Sequence, residues 1–174
     1  MATNTSTNSM NRLKLLPDGA HDYLRRRAVE GWGLVLIIAA LVLMLALSSF
    51  NVDDPSANHA TSGAVQNWLG VPGAWVADLV LQTIGLAGGM IALTLVAWGW
   101  RMISHRGLPL LWLNMSFLPV MLAGVAFVLA ALSVPQNWPL ASGLGGWVGD
   151  GLFRGLVHLG QGAGLSLAPG LYGL

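Results

Sequence analysis

The sequence predicts an all-α fold: a polytopic membrane protein with three transmembrane helices, an interfacial amphipathic helix and the start of a fourth transmembrane helix. Three observations carry this. Only 9% of the 174 residues are charged and 55% are hydrophobic, where a soluble domain carries about 25% charged residues. Three apolar runs, 31–50, 73–100 and 110–132, contain no Lys, Arg or Glu. Each reaches roughly 30 Å or more as a helix, enough for the hydrocarbon core of a bilayer. The flanks of these runs carry, in order, five, none, two and one basic residues.

The first 11 residues are polar and low in complexity and read as a disordered tail. Residues 12–30 then hold Arg12, Lys14, Arg25, Arg26 and Arg27. Together, residues 1–30 form a basic cytoplasmic segment. The run Gly31 to Phe50 has no charge. Its leader is too long, and the run itself too long, for a signal peptide, so it reads as an uncleaved transmembrane helix. Residues 51–72 form a polar loop with Asp53 and Asp54 and no basic residue.

The stretch Gly73 to Trp100 organises the rest. It has 28 residues and would reach roughly 42 Å as one helix, so it can span with tilt. Trp75 and Trp98 stand near its two ends, at the spacing of the two interfacial levels. Asp78 is its one ionisable residue. Asp78, Gln82, Gly85 and Gly89 recur at helical spacing after Ala74 and form a small, polar face suited to packing on protein. Gly85 and Gly89 read as a close intramolecular helix crossing, with an oligomer seam as the other possibility. For Asp78, three roles stand open: bonding to nearby backbone or to Asn67, contacting a partner, or handling a proton or ion.

A short basic connection, with Arg101 and Arg106, leads to the third run, where Pro119 introduces a kink that neighbours can cover. Residues 31–132 thus make a three-helix membrane region, and 133–174 a glycine-rich segment. Within that segment, residues 146–159 place Asp150, Arg154 and His158 on one face and Trp147, Leu152, Leu156 and Leu159 elsewhere. This is the pattern of a helix lying in the interface, with an Asp150–Arg154 pair at i, i+4. Leu165 to Leu174 reads as the first turns of a further helix, held near the outer interface and mobile. Basic loops stay in the cytoplasm. The N-terminus and residues 101–109 are therefore expected inside, and residues 51–72 and those after Leu132 outside.

The chemistry of common sites is missing from these residues. The one lysine, Lys14, has no glycine loop before it, as a P-loop requires. The histidines at 21, 59, 105 and 158 lack metal-ligand spacing, and there is no cysteine. No cofactor is expected. The run Arg25-Arg26-Arg27 abuts a transmembrane helix and reads as a topology signal that touches anionic headgroups, not as a nucleic-acid site.

Two motifs carry a resemblance. Ser49-Phe50-Asn51-Val52-Asp53-Asp54-Pro55-Ser56 closes the first apolar run. Asn67 through Asp78, including Gly70, Gly73 and Ala74, opens the second, with Gly85 seven residues further on. Jointly, over roughly residues 25–174, they resemble the N-terminal four-helix membrane domain of the bacterial FtsK DNA translocases. The resemblance implies an inner-membrane anchor at the division septum. Such an anchor contacts other division proteins and tethers an oligomeric, ATP-driven motor that moves chromosomal DNA. The chain departs from the family pattern in having no linker, no motor and no complete fourth helix within these residues. The competing reading is a small transporter or channel subunit using Asp78 and Gln82, but no internal repeat of the kind transporters show is visible.

Overall fold

The structure, a computed structural model, describes residues 20–56, 63–108, 110–140 and 142–162. Every regular element among them is helical: α1 (Ala20–Ser48), α2 (Gly70–Ile84), a 3-10 turn (Gly85–Gly88), α3 (Gly89–Ile103), α4 (Leu111–Ala130) and α5 (Gly146–Gly162). Three stretches, Ala20–Ser48, Gly70–Ile103 and Leu111–Ala130, are long and apolar enough to cross a membrane.

α1 starts 11 residues before the apolar run that announced it. Nothing in Ala20 to Glu30 breaks a helix, since the stretch holds no Gly or Pro. At 29 residues, α1 is about 44 Å long against a core of about 30 Å. Its basic first turns therefore project beyond the apolar slab.

α3 runs antiparallel to α1. A Cβ on Gly33 would meet the Gly99 carbonyl oxygen at 2.7 Å, and one on Gly99 would meet the Gly33 carbonyl oxygen at 2.5 Å. The two backbones touch here because neither residue has a side chain, which is how close helix crossings form in lipid. At the same end, Glu30 of α1 meets His105, just past α3, at 3.0 Å.

The expected single helix over 73–100 is not what forms. Gly85 takes φ 61° and ψ −143°, a combination open in practice to glycine alone. The chain then folds so tightly that a Cβ on Gly88 would strike the side chain of Val80, two turns back in a straight helix. From the Gly33–Gly99 crossing, Gly89 lies roughly 15 Å along α3, toward the C-terminal end of α1. Asn67, just before α2, is at that end too, bonded to the carbonyls of Ala46 and Ser49. Both ends of α2 are thus placed at one end of α1, and α2 runs across the bundle instead of extending α3. The 3-10 turn and α3, of four and 15 residues, reach about 30 Å together. Residues 85–103 consequently make the second crossing, and α2 is turned aside.

α4 is apolar on all sides and continues through Pro119. Its C-terminal half is packed by α5 and the residue before it: Gly145 and Gly149 lie directly on the Ala126 carbonyl and Phe127 meets Phe153 with centroids 6.0 Å apart. The amphipathic helix expected at 146–159 is present as α5. It packs on α4 through Gly149 and Phe153, buries Val157, and leaves Trp147, Leu156 and Leu159 exposed. The expected Asp150–Arg154 pair does not form. Asp150 instead accepts the Gly143 backbone N–H at 2.9 Å, because a fixed amide at the helix entry costs less side-chain entropy to engage than a mobile arginine. The proposed start of a fourth helix at 165–174 and the N-terminal tail lie outside the described residues.

Candidate functional site

The two family motifs meet at the C-terminal end of α1 and make one polar lock. Asp54, 4% exposed, accepts backbone N–H bonds from Gln66 at 2.7 Å and Asn67 at 2.8 Å. Asn67, also 4% exposed, donates from Nδ2 to the Ala46 carbonyl at 2.9 Å and the Ser49 carbonyl at 3.3 Å. Those carbonyls lie at the end of α1, where the helix itself offers no N–H. The Asn67 Oδ1 accepts from Leu69 N at 3.0 Å. Asn51 donates to the Gln66 side chain at 2.8 Å, and Ser49 Oγ accepts from Trp68 N at 3.2 Å. The spacing of the second motif now has a physical reason. Gly70 takes φ 68° as the chain leaves the Asn67 turn. Gly73 is bare because a Cβ there would run into Asn67 Oδ1. Ala74, 2% exposed, is the smallest side chain that still favours helix at a buried position. Pro55 is half-buried directly after Asp54 and restricts φ there.

Asp78 is 8% exposed and accepts from Gln82 Nε2 at 2.6 Å, one turn on in α2. The pair answers the polarity of that face from within one helix. Asp78 does not bond Asn67, whose side-chain atoms are occupied by α1 and Leu69. Since α2 lies across the C-terminal end of α1, this acid is not in the middle of a crossing.

Gly85 and Gly89 divide. A Cβ on Gly85 would strike the Leu144 carbonyl oxygen, and a Cβ on Gly146 would strike the Gly85 nitrogen. Leu86 N, freed by the break, donates to that Leu144 oxygen at 3.0 Å. Gly85 therefore meets the entry of α5, not another transmembrane helix. Nothing lies within 4 Å of a Cβ built on Gly89, so the expected intramolecular crossing is absent there. The close crossing is Gly33–Gly99, which the sequence reading missed. Its only signal was one of two glycines in the first apolar run, Gly33 beside Gly31, and one of five in the second.

The basic residues also separate. Arg27 pairs with Glu30 at 2.6 Å and sits 5.4 Å from the centre of the Tyr23 ring. Arg101 donates to the Gly107 carbonyl at 3.2 Å and closes the turn after α3. Arg25, Arg26 and Arg106 are exposed.

Comparison with known proteins fits this arrangement. Residues 25–171 match the family described as the 4TM region of DNA translocase FtsK/SpoIIIE. The DNA translocase FtsK of Bradyrhizobium diazoefficiens is 40% identical over 140 residues, covering 80% of this chain and 17% of that protein. The Brucella suis protein of the same name is 37% identical over 139 residues, covering 75% of this chain and 15% of its own length. That of Caulobacter vibrioides is 33% identical over 126 residues, 70% of this chain and 15% of its own length. The matched part is thus less than a fifth of each of these relatives, and the greater share of each lies outside the match. No solved structure matches the chain at a significant level. With three apolar crossings and both motifs joined in one lock, the chain is a multi-pass inner-membrane protein and belongs to the family of the 4TM region of DNA translocase FtsK/SpoIIIE.

Proposed function

We propose that this chain is the septal membrane anchor of an FtsK-type DNA translocase, which tethers the motor and contacts other division proteins. The family match over residues 25–171 carries the reading. The residues support it in kind: they are arranged to hold helices in lipid and to one another. Apolar residues at the centre of a span each favour the bilayer by roughly 0.3–0.6 kcal/mol, and three such spans give an attachment that does not exchange with water. Backbone contacts at Gly33–Gly99 and Gly85–Gly146 join the helices into one body, so a load applied at one end is shared. In this reading the N-terminus is cytoplasmic, the Asp54–Asn67 lock faces the periplasm, and the complete translocase assembles as a homo-oligomer. The chain itself makes no direct contact with nucleic acid.

Orientation is tested by reporter fusions. Fusions near residue 60 and near residue 140 should be active only as periplasmic reporters, and a fusion at residue 105 only as a cytoplasmic one. The motivation is the placement of basic residues. A cytoplasmic signal near residue 60 overturns the orientation. Septal placement is tested separately, with a fluorescent fusion in dividing cells. A band at the division plane is expected, and it should persist at septa over regions without nucleoid. A uniform membrane signal would remove the septal role and leave the membrane assignment intact.

A further inference from the structure

The inner end of the molecule holds a cleft of about 760 Å³ between the projecting turns of α1, the end of α3 and the loop that leads to α4. Its rim carries Arg25 and Arg26, with Asp22 as the one carboxylate among its lining residues. Its floor is apolar, made by Met102, Leu108 and Leu111. His105 forms the far wall and is held there by Glu30 at 3.0 Å.

That wall is built in advance. His105 and Gly107 take φ 53° and 65°, and the turn is closed by Ser104 N to the Trp100 carbonyl at 2.9 Å and Arg106 N to the Arg101 carbonyl at 3.1 Å. A loop already in place need not be ordered when a ligand arrives. The arginine run, uniform in sequence, is not uniform here. Arg27 is spent on Glu30 and Tyr23. Arg25 and Arg26 have no carboxylate partner among the described residues, and both line the cleft.

We propose that this cleft seats the headgroup of an anionic phospholipid. Arg25 and Arg26 take the phosphate, since a guanidinium fork matches its oxygens. The glycerol backbone and first methylenes lie on Met102, Leu108 and Leu111. The apolar floor decides among anions: neither inorganic phosphate nor a single strand of DNA has acyl chains to cover it. The inference concerns the inner end alone and stands whether or not the chain sits at a septum.

The test uses the 174-residue chain in a neutral detergent, titrated with phosphatidylglycerol or phosphatidylcholine, with bound lipid counted by native mass spectrometry. Phosphatidylglycerol should bind in preference. Arg25→Gln with Arg26→Gln should weaken it about 30-fold, the effect of two basic residues at a membrane surface. Arg27→Gln, which removes the same charge one residue away, should change it by less than about twofold, since that group is already paired. A lysine pair at 25 and 26 should recover part of the loss. Equal losses per charge in the Arg25/Arg26 double variant and in Arg27→Gln would mean a smeared surface field and overturn the site. So would inorganic phosphate competing at the lipid's own concentration. Displacement of the lipid by short single-stranded DNA would overturn it in favour of a nucleic-acid surface. Circular dichroism and gel filtration establish that the variants, all at exposed positions, remain folded.

Discussion

Gly85→Leu and Gly146→Leu should each reduce the yield of folded, membrane-inserted protein at least about tenfold, a change of about 1.4 kcal/mol or more. The two glycines lie backbone to backbone, with φ 61° and 65°. A side chain at either position meets two separate penalties. A positive φ of this kind costs a residue with a Cβ roughly 1–3 kcal/mol. The added atom also overlaps Leu144 from Gly85, or Gly85 and Ile84 from Gly146, and backbone cannot move aside as a flexible side chain would. Relief requires either straightening the break or lifting α5 from it. Straightening carries α2 away from its anchor at Ala46. Lifting α5 leaves Leu86 N without the Leu144 oxygen, an orphan donor that costs several kcal/mol in hydrocarbon. Gly89→Leu is the control. It has αR geometry, φ −59° and ψ −28°, and open space around its Cβ, and its yield should stay within about twofold. Protease resistance and gel-filtration profile of the extracted protein are the readouts. Equal effects at positions 85 and 89 would restore a continuous helix with a glycine seam.

Asn67→Leu should destabilise the protein by about 3 kcal/mol, since the lost amide leaves the Ala46 and Ser49 carbonyls and Leu69 N unpaired at roughly 1–3 kcal/mol for each truly buried group. Leucine also lacks the shape to lie over Gly73, whose bare Cα receives the Asn67 side chain. Asp54→Asn should be milder, about 1–2 kcal/mol. It keeps one acceptor for the amides of Gln66 and Asn67 but turns an NH2 toward the other. Asp53→Asn is the contrast. Its side chain is exposed, and the bond at that residue runs from its backbone N to Asn51 Oδ1 at 2.9 Å, so less than about 0.5 kcal/mol is expected. Denaturant midpoints in detergent rank the three. An Asp53 effect as large as that of Asp54 would mean that the loop's net charge, not the lock, stabilises this end.

The neighbouring acids Asp53 and Asp54 mark how far one-dimensional reading reaches. Composition and run length determined the all-helical membrane class, because covering the backbone in lipid leaves few alternatives to helix. Asp54, Asn67, Gly70 and Gly73 were legible only through their resemblance to a known family; the fold supplied the need each one answers: an acceptor, a turn, a left-handed residue, a bare Cα. The amphipathic character of 146–159 was legible directly, being a property of one helix alone. Which acid is buried was not legible, because that depends on where the amides of Gln66 and Asn67 arrive.

The same division governs the glycines and the arginines. By itself the sequence determined that 73–100 is apolar and rich in small residues. Only the tertiary structure decided that Gly85 breaks the helix while Gly89 continues it, since a glycine adopts left-handed backbone when another backbone, here Leu144 and Gly146, takes the space. The crossing at Gly33 and Gly99 has the same origin: two glycines 66 positions apart matter only once α1 and α3 lie side by side. Arg25, Arg26 and Arg27 are one charge run in the chain and two kinds of group in the fold, because Glu30 and Tyr23 come within reach of only one of them. Short-range chemistry is written along the chain. Close approach between distant segments is decided by packing, and that is where these residues acquire different roles.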